Sequence, residues 1–171
     1  KVRSTTGDWY TQTTAIDGSL DYLILNQNIA ASPLPKALPT ESVFTTDMGS
    51  TTTAVAYCFA DVEGYSKIGT YEGNSNANGP FIYTGFSPAF IMTKCTSAGE
   101  WEMYDTSRGP DNAVTESLEA QSNGPELNTY TIDILSNGFK QRQVYDTQNG
   151  NGKTYLYIAF AEQPFKNANA R

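Results

Sequence analysis

At 171 residues, with 39% hydrophobic residues, eleven tyrosines and eight phenylalanines, the chain can build one large sandwich or about two small domains, and it is neither a mini-protein nor a disordered segment. A net charge of −7 and a pI near 4.5 work against nucleic-acid phosphates and anionic membranes, and no apolar run approaches the roughly 18 residues of a spanning helix, so neither nucleic acid nor membrane insertion is expected. The chain has no histidine, which removes Ser-His-Asp and Cys-His catalysis and the usual zinc sites together.

Taken from the N-terminus, strand signals recur between turn clusters, and no useful length of chain carries apolar residues at helical spacing. This predicts an all-β fold with strands at 2–5, 9–14, 20–25, 42–46, 53–60, 67–71, 81–84, 89–94, 101–105, 117–120, 131–135, 139–144 and 154–161. Residues 32–39 contain Pro33, Pro35 and Pro39, which remove backbone donors, so this stretch reads as a surface crossover. The segments 53–60 and 154–161 carry no charge on either face, which predicts a central strand for each. Between them, 73–80 is a polar Asn-Gly loop, a mobile tip or a binding loop. Ser136-Asn137-Gly138 and Asn149-Gly150-Asn151-Gly152 supply residues tolerant of positive φ for tight turns. The last residues, 163–171, read as a tail pinned by Phe165. Cys58 lies inside an apolar strand and Cys95 at the end of another; a free buried thiol at Cys58 and a Cys58–Cys95 disulfide are both open.

An internal repeat runs through these elements. Gly7-Asp8-Trp9 recurs as Gly99-Glu100-Trp101, Ser42-Val43-Phe44 faces Asn137-Gly138-Phe139, and residues 53–61 recur as 154–162, so the offset drifts through 92, 95 and 101 residues by loop insertion. Lys1-Val2-Arg3-Ser4 takes the place that residues 90–95 hold in the second copy, and nothing before Lys1 matches the hairpin at 65–84. The expectation is therefore an incomplete first copy at 1–62 and a complete second copy at 63–171, with the chain being the C-terminal part of a longer protein; one continuous sandwich is the alternative. Tandem copies of one plan suit scaffolds and binding surfaces.

Few residues carry chemistry. Glu100 and Glu102 share a face of an extended strand, the arrangement a jelly-roll glycoside hydrolase needs, but Glu102 aligns with Tyr10 and so lies outside the repeat. Asp105, Asp111 and Asn112 supply oxygen ligands for calcium without a regular spacing, and an Asp105–Arg108 pair tying a turn is the simpler reading. Tyr71, Trp101 and Tyr104, with Asn74 and Asn76 of the polar loop, are the candidate glycan-binding residues, since aromatic faces stack on sugars and amides bind hydroxyls. Strand aromatics are equally suited to a core.

The run from Tyr57-Cys58-Phe59-Ala60-Asp61 through Gly64-Tyr65-Ser66-Lys67-Ile68-Gly69-Thr70-Tyr71-Glu72-Gly73-Asn74, with Gly79-Pro80-Phe81-Ile82-Tyr83-Thr84-Gly85-Phe86-Ser87-Pro88, Ser136-Asn137-Gly138-Phe139-Lys140 and Tyr157-Ile158-Ala159-Phe160-Ala161-Glu162, resembles an uncharacterised repeat domain of tailed (marine) phage structural and tail-fibre proteins. The resemblance covers 57–171 closely and 1–56 more loosely. It implies a concanavalin A-like (LamG-like) jelly-roll β-sandwich in tandem, located in the virion and extracellular. It further implies a non-enzymatic structural or adhesion module, in a tail fibre, another appendage or a capsid fibre. The partners implied are other virion proteins, further copies of the chain (a trimer if it is a fibre) and a host-surface glycan; no cofactor and no catalytic set come with the family. A purely architectural protein without ligand, and a hydrolase using Glu100 and Glu102, are the alternatives.

Overall fold

The computed structural model describes residues 7–46 and 53–162; the expected strand at 2–5 and the tail pinned by Phe165 lie outside them. The described chain is all-β, with a single short helical turn. Its elements are β1 (Tyr10–Thr13), β2 (Asp21–Ile24), β3 (Ser32–Pro33), β4 (Ser66–Glu72), β5 (Phe81–Tyr83), β6 (Pro88–Cys95), β7 (Trp101–Asp105), β8 (Leu118–Glu119), β9 (Ile132–Leu135), β10 (Gly138–Gln141), α1 (Asp146–Asn149) and β11 (Thr154–Ala161).

The strands form three antiparallel sheets, ordered β4-β11-β6-β7-β8, β5-β10-β9 and β1-β2-β3. Alternation along β11 explains how they stack. Tyr155, Tyr157 and Ala159 point to one face, where they join Tyr71 and Ile91 in a core with Ile82, Ile132 and Phe139 of the three-stranded sheet β5-β10-β9. Aromatic edges knit this sandwich, Tyr71 standing on Phe139 and Phe139 on Tyr157. On the other face of the five-stranded sheet, Leu156 and Trp101 pack on Leu23 of β2, flanked by Ile68, Met92 and Leu25. The five-stranded sheet is thus covered on both sides, which is why β11 carries no charge on either.

The expected central strand at 154–161 is β11, held by β4 and β6. Its sequence twin at 53–60 is a correction: apart from a single bridge at Ala54 it forms no strand, and its side chains face solvent. The flanking strands that bury β11 come from residues 66–95, and no strand among the described residues takes those places beside 53–60. Residues 42–46 likewise form no strand, and β10 stops at Gln141 where the expected strand ran on to 144. Both thiols are free, and the buried one is Cys95, with Cys58 exposed.

Gly138 serves close approach instead of turn conformation: a Cβ there would lie 2.1 Å from the carbonyl oxygen of Ile82 on the neighbouring strand. Gly152, ahead of β11, does hold a positive φ of 67°.

Candidate functional site

The polar loop at 73–80 is an ordered structure. Gly73 lets it lie against the chain after α1, since a Cβ there would fall 2.3 Å from the Gly150 carbonyl oxygen. Its asparagines build successive Asx turns: the Asn76 amide N–H donates to Asn74 Oδ1 at 3.0 Å and the Asn78 N–H to Asn76 Oδ1 at 2.8 Å. Asn149 of α1, a buried residue, clamps the loop from beneath. Its Nδ2 donates to Asn74 Oδ1 at 3.2 Å, to the Asn76 carbonyl at 2.9 Å and to the Gln143 carbonyl at 2.6 Å, while its Oδ1 accepts the Asn74 N–H. Lys140 Nζ donates to Asn78 Oδ1 at 2.6 Å. Asn74 and Asn76 are exposed, so the structure places these two candidate residues together on a pre-ordered polar surface.

The other three candidates lie in the interior, which corrects their expected role as stacking platforms. Trp101 is buried where β1-β2-β3 meets the five-stranded sheet, and its Nε1–H donates to the Ile24 carbonyl at 2.9 Å. Tyr71 and Tyr104 face the sandwich core. The Tyr71 hydroxyl donates to the Gln148 carbonyl and accepts from Gln141 Nε2, each at 2.8 Å, and burial pushes its phenol well above the usual range. Strand alternation reports which residues share a face; it does not report that both faces are covered.

The same interior holds Glu102, fully buried on β7 beside Thr93 of β6 and Glu119 of β8. Burial raises its carboxyl to about 8; Ser117 opposes the rise, and Glu119 and Glu100 add to it. Neither Glu102 oxygen, nor Ser117 Oγ, nor the Tyr104 hydroxyl makes a hydrogen bond of ordinary geometry, so Ser117 is near the carboxyl without being aligned to it. The group is therefore neutral at pH 7, as a carboxyl removed from water must be unless it is paired. Glu100 precedes the strand and is half-buried. Of the two acids expected to flank a sugar, Glu102 is thus buried and Glu100 lies outside the strand.

The calcium candidates do structural work. Asp105 accepts from the backbone N–H groups of Ser107 and Arg108 and pairs with Arg108 Nε at 2.9 Å, the turn-tying pair anticipated from the sequence. Asn112 acts as a false strand residue, donating to the Ile134 carbonyl and accepting its N–H, while Asp111 is exposed. Among the described residues no group of three or more Asp, Glu or Cys side chains is arranged to hold a metal ion.

One surface recess was missed in the sequence. Trp9, Leu25, Asn26 and Ala120 line a shallow cavity of about 160 Å³ where β1-β2-β3 meets the edge of the five-stranded sheet. Trp9 is exposed there, and its backbone N–H donates to Asn26 Oδ1 at 2.8 Å. The signal was available in the likeness of Gly7-Asp8-Trp9 to Gly99-Glu100-Trp101: among the described residues, Trp101 is buried under a sheet and Trp9 is not.

Residues 1–164 match the family described as Domain of unknown function (DUF7483), to which the chain belongs. No curated protein and no solved structure matches it.

Proposed function

For a member of this family, we propose a non-enzymatic structural and adhesion module of a tailed-phage virion, carried on a tail fibre or other appendage and contacting host-surface glycans. The observation that carries the proposal is the asparagine loop: Asn74 and Asn76 are exposed but held from beneath by Asn149, so amide donors and acceptors stand at the sandwich end with little ordering left to lose on binding a hydroxyl-rich ligand. The Trp9 recess supplies the exposed aromatic face that Tyr71, Trp101 and Tyr104 do not.

A jelly-roll built in tandem is the architecture proposed for it. Support comes from the pairing pattern: β1 pairs β2 and β2 pairs β3, while the repeat partners of β1 and β2 pair as β7 with β8, and Ser117 next to β8 bridges Leu127. Two copies at 1–62 and 63–171, self-association and other virion proteins as partners belong to the same proposal.

The test is a glycan array probed with the whole chain and with the double variant Asn74→Ala/Asn76→Ala. Binding by the parent that the variant loses is the result expected. A parent that binds no glycan, on a chain that is found in virions, favours the purely architectural alternative.

A further inference from the structure

Glu102 belongs to a group of buried polar side chains that lack partners. Its two oxygens, the Ser117 and Tyr104 hydroxyls, Gln141 Oε1 and Gln148 Nε2 are six atoms that make no hydrogen bond among the described residues, and all five residues are fully buried. Contacts chain them into one seam that runs from the five-stranded sheet to β10 and α1. Glu102 of β7 stands opposite Thr93 of β6, whose hydroxyl donates to Gln148 Oε1. The Gln148 carbonyl accepts from the Tyr71 hydroxyl, which accepts from Gln141 Nε2. Tyr104 lies two residues beyond Glu102 on the same strand face; burial first, then the charges of Glu102 and Tyr71, push its phenol well above the usual range, which places it near both. Ser117 lies beside Glu102.

A buried polar group without a hydrogen bond forfeits the water it held in the unfolded chain, and six such losses together rival the whole net stability of a domain. The chemistry of the seam says what meets these groups. Gln148 Nε2 is only a donor and Gln141 Oε1 only an acceptor, while the two hydroxyls and a neutral carboxyl are both. A cation suits the oxygens and is repelled by the Gln148 amide N–H groups. An anion suits that amide and is repelled by Gln141 Oε1. A partner that both donates and accepts satisfies every group, and because none of the five side chains reaches the surface, it is also small.

We propose that the seam is a built hydration site, in which about two ordered waters bridge Glu102, Ser117 and Tyr104 at one end to Gln141 and Gln148 at the other, each water making about three hydrogen bonds. A neutral carboxyl offers one donor and spare acceptors, so such a water satisfies Glu102 without ionising it. The waters tie β7 to the turn α1, where Gln148 adjoins Asn149, the residue that clamps the 73–80 loop. The site stands independently of what that loop binds.

Two measurements on the whole chain test the site. A crystal structure at a resolution that shows ordered water should place water oxygens about 2.7–3.2 Å from Glu102, Tyr104 and Gln148. A metal ion or an organic molecule in that density, or the five side chains turned to bond one another directly, overturns the proposal. Tyr104→Phe removes one hydroxyl and keeps the ring. Where a water holds that hydroxyl, the folding equilibrium constant from urea unfolding falls about 2- to 10-fold. A variant as stable as the parent, or more stable, means that the hydroxyl has no partner and overturns the site.

Discussion

Replacing Glu102 with glutamine should flatten the pH dependence of stability. In the folded chain the carboxyl titrates at about 8, against 4.5 when exposed. Below about pH 4.5 both states hold the proton and the residue is neutral toward folding. Between these values the unfolded chain has released the proton and the folded chain has not, so stability falls by up to about 1.4 kcal/mol per pH unit. Above about 8 both are ionised and the loss saturates. Over the whole window that is roughly 3–5 kcal/mol, the lower figure allowing for partial access of water. Glutamine has nearly the same shape and the same lack of hydrogen-bond partners but no charge to lose. E102Q should match the parent near pH 4.5 and exceed it by about 3 kcal/mol near pH 8, a gain of about 6–12 °C in Tm at this chain length. Urea unfolding of both proteins across this range gives the comparison, since ionisations not coupled to Glu102 cancel in the difference. Parallel curves, or a variant less stable than the parent at pH 8, would refute the claim that Glu102 is folded in neutral form.

Three further outcomes follow from the packing. Trp101→Phe loses the bond to the Ile24 carbonyl and part of the contact with Leu23, and should cost about 2–4 kcal/mol by denaturant titration; its remaining fluorescence, from the exposed Trp9, should be open to iodide. Gly138→Ala drives a methyl group into the Ile82 carbonyl and should cost about 2–3 kcal/mol, read as a drop in Tm. Asn149→Ala removes the three bonds made by its Nδ2 and should speed hydrogen exchange at Asn74, Asn76 and Asn78 while leaving β11 protected.

Local chemistry was legible in the sequence wherever the structure depends on neighbours close along the chain. The charge-free text at 154–161 marked β11 as central, the Asp105–Arg108 spacing marked a tied turn, and the Asn-Gly composition marked the 73–80 loop. Where the outcome depends on what lies across the fold, the same cues misled. Residues 53–60 carry the same alternation as β11, but a strand becomes central only when two others flank it, and among the described residues only β11 has two such neighbours from β4 and β6. Tyr71, Trp101 and Tyr104 sit on alternating positions of strands whose two faces are both covered, so periodicity could not separate a platform from a core. Glu102 is a charged residue type within a strand, and only its burial in the folded chain makes it a neutral acid. Trp9 resembles Trp101 in its local sequence, yet among the described residues no sheet covers it as β1-β2-β3 covers Trp101.

The most direct test of the proposed module is imaging of phage particles that carry this chain by cryo-electron microscopy, with the sandwich fitted to the density. The account predicts the chain in an appendage that projects from the particle, with the loop at 73–80 turned outward. A position in a shell or wall, with that loop buried between subunits, would contradict it.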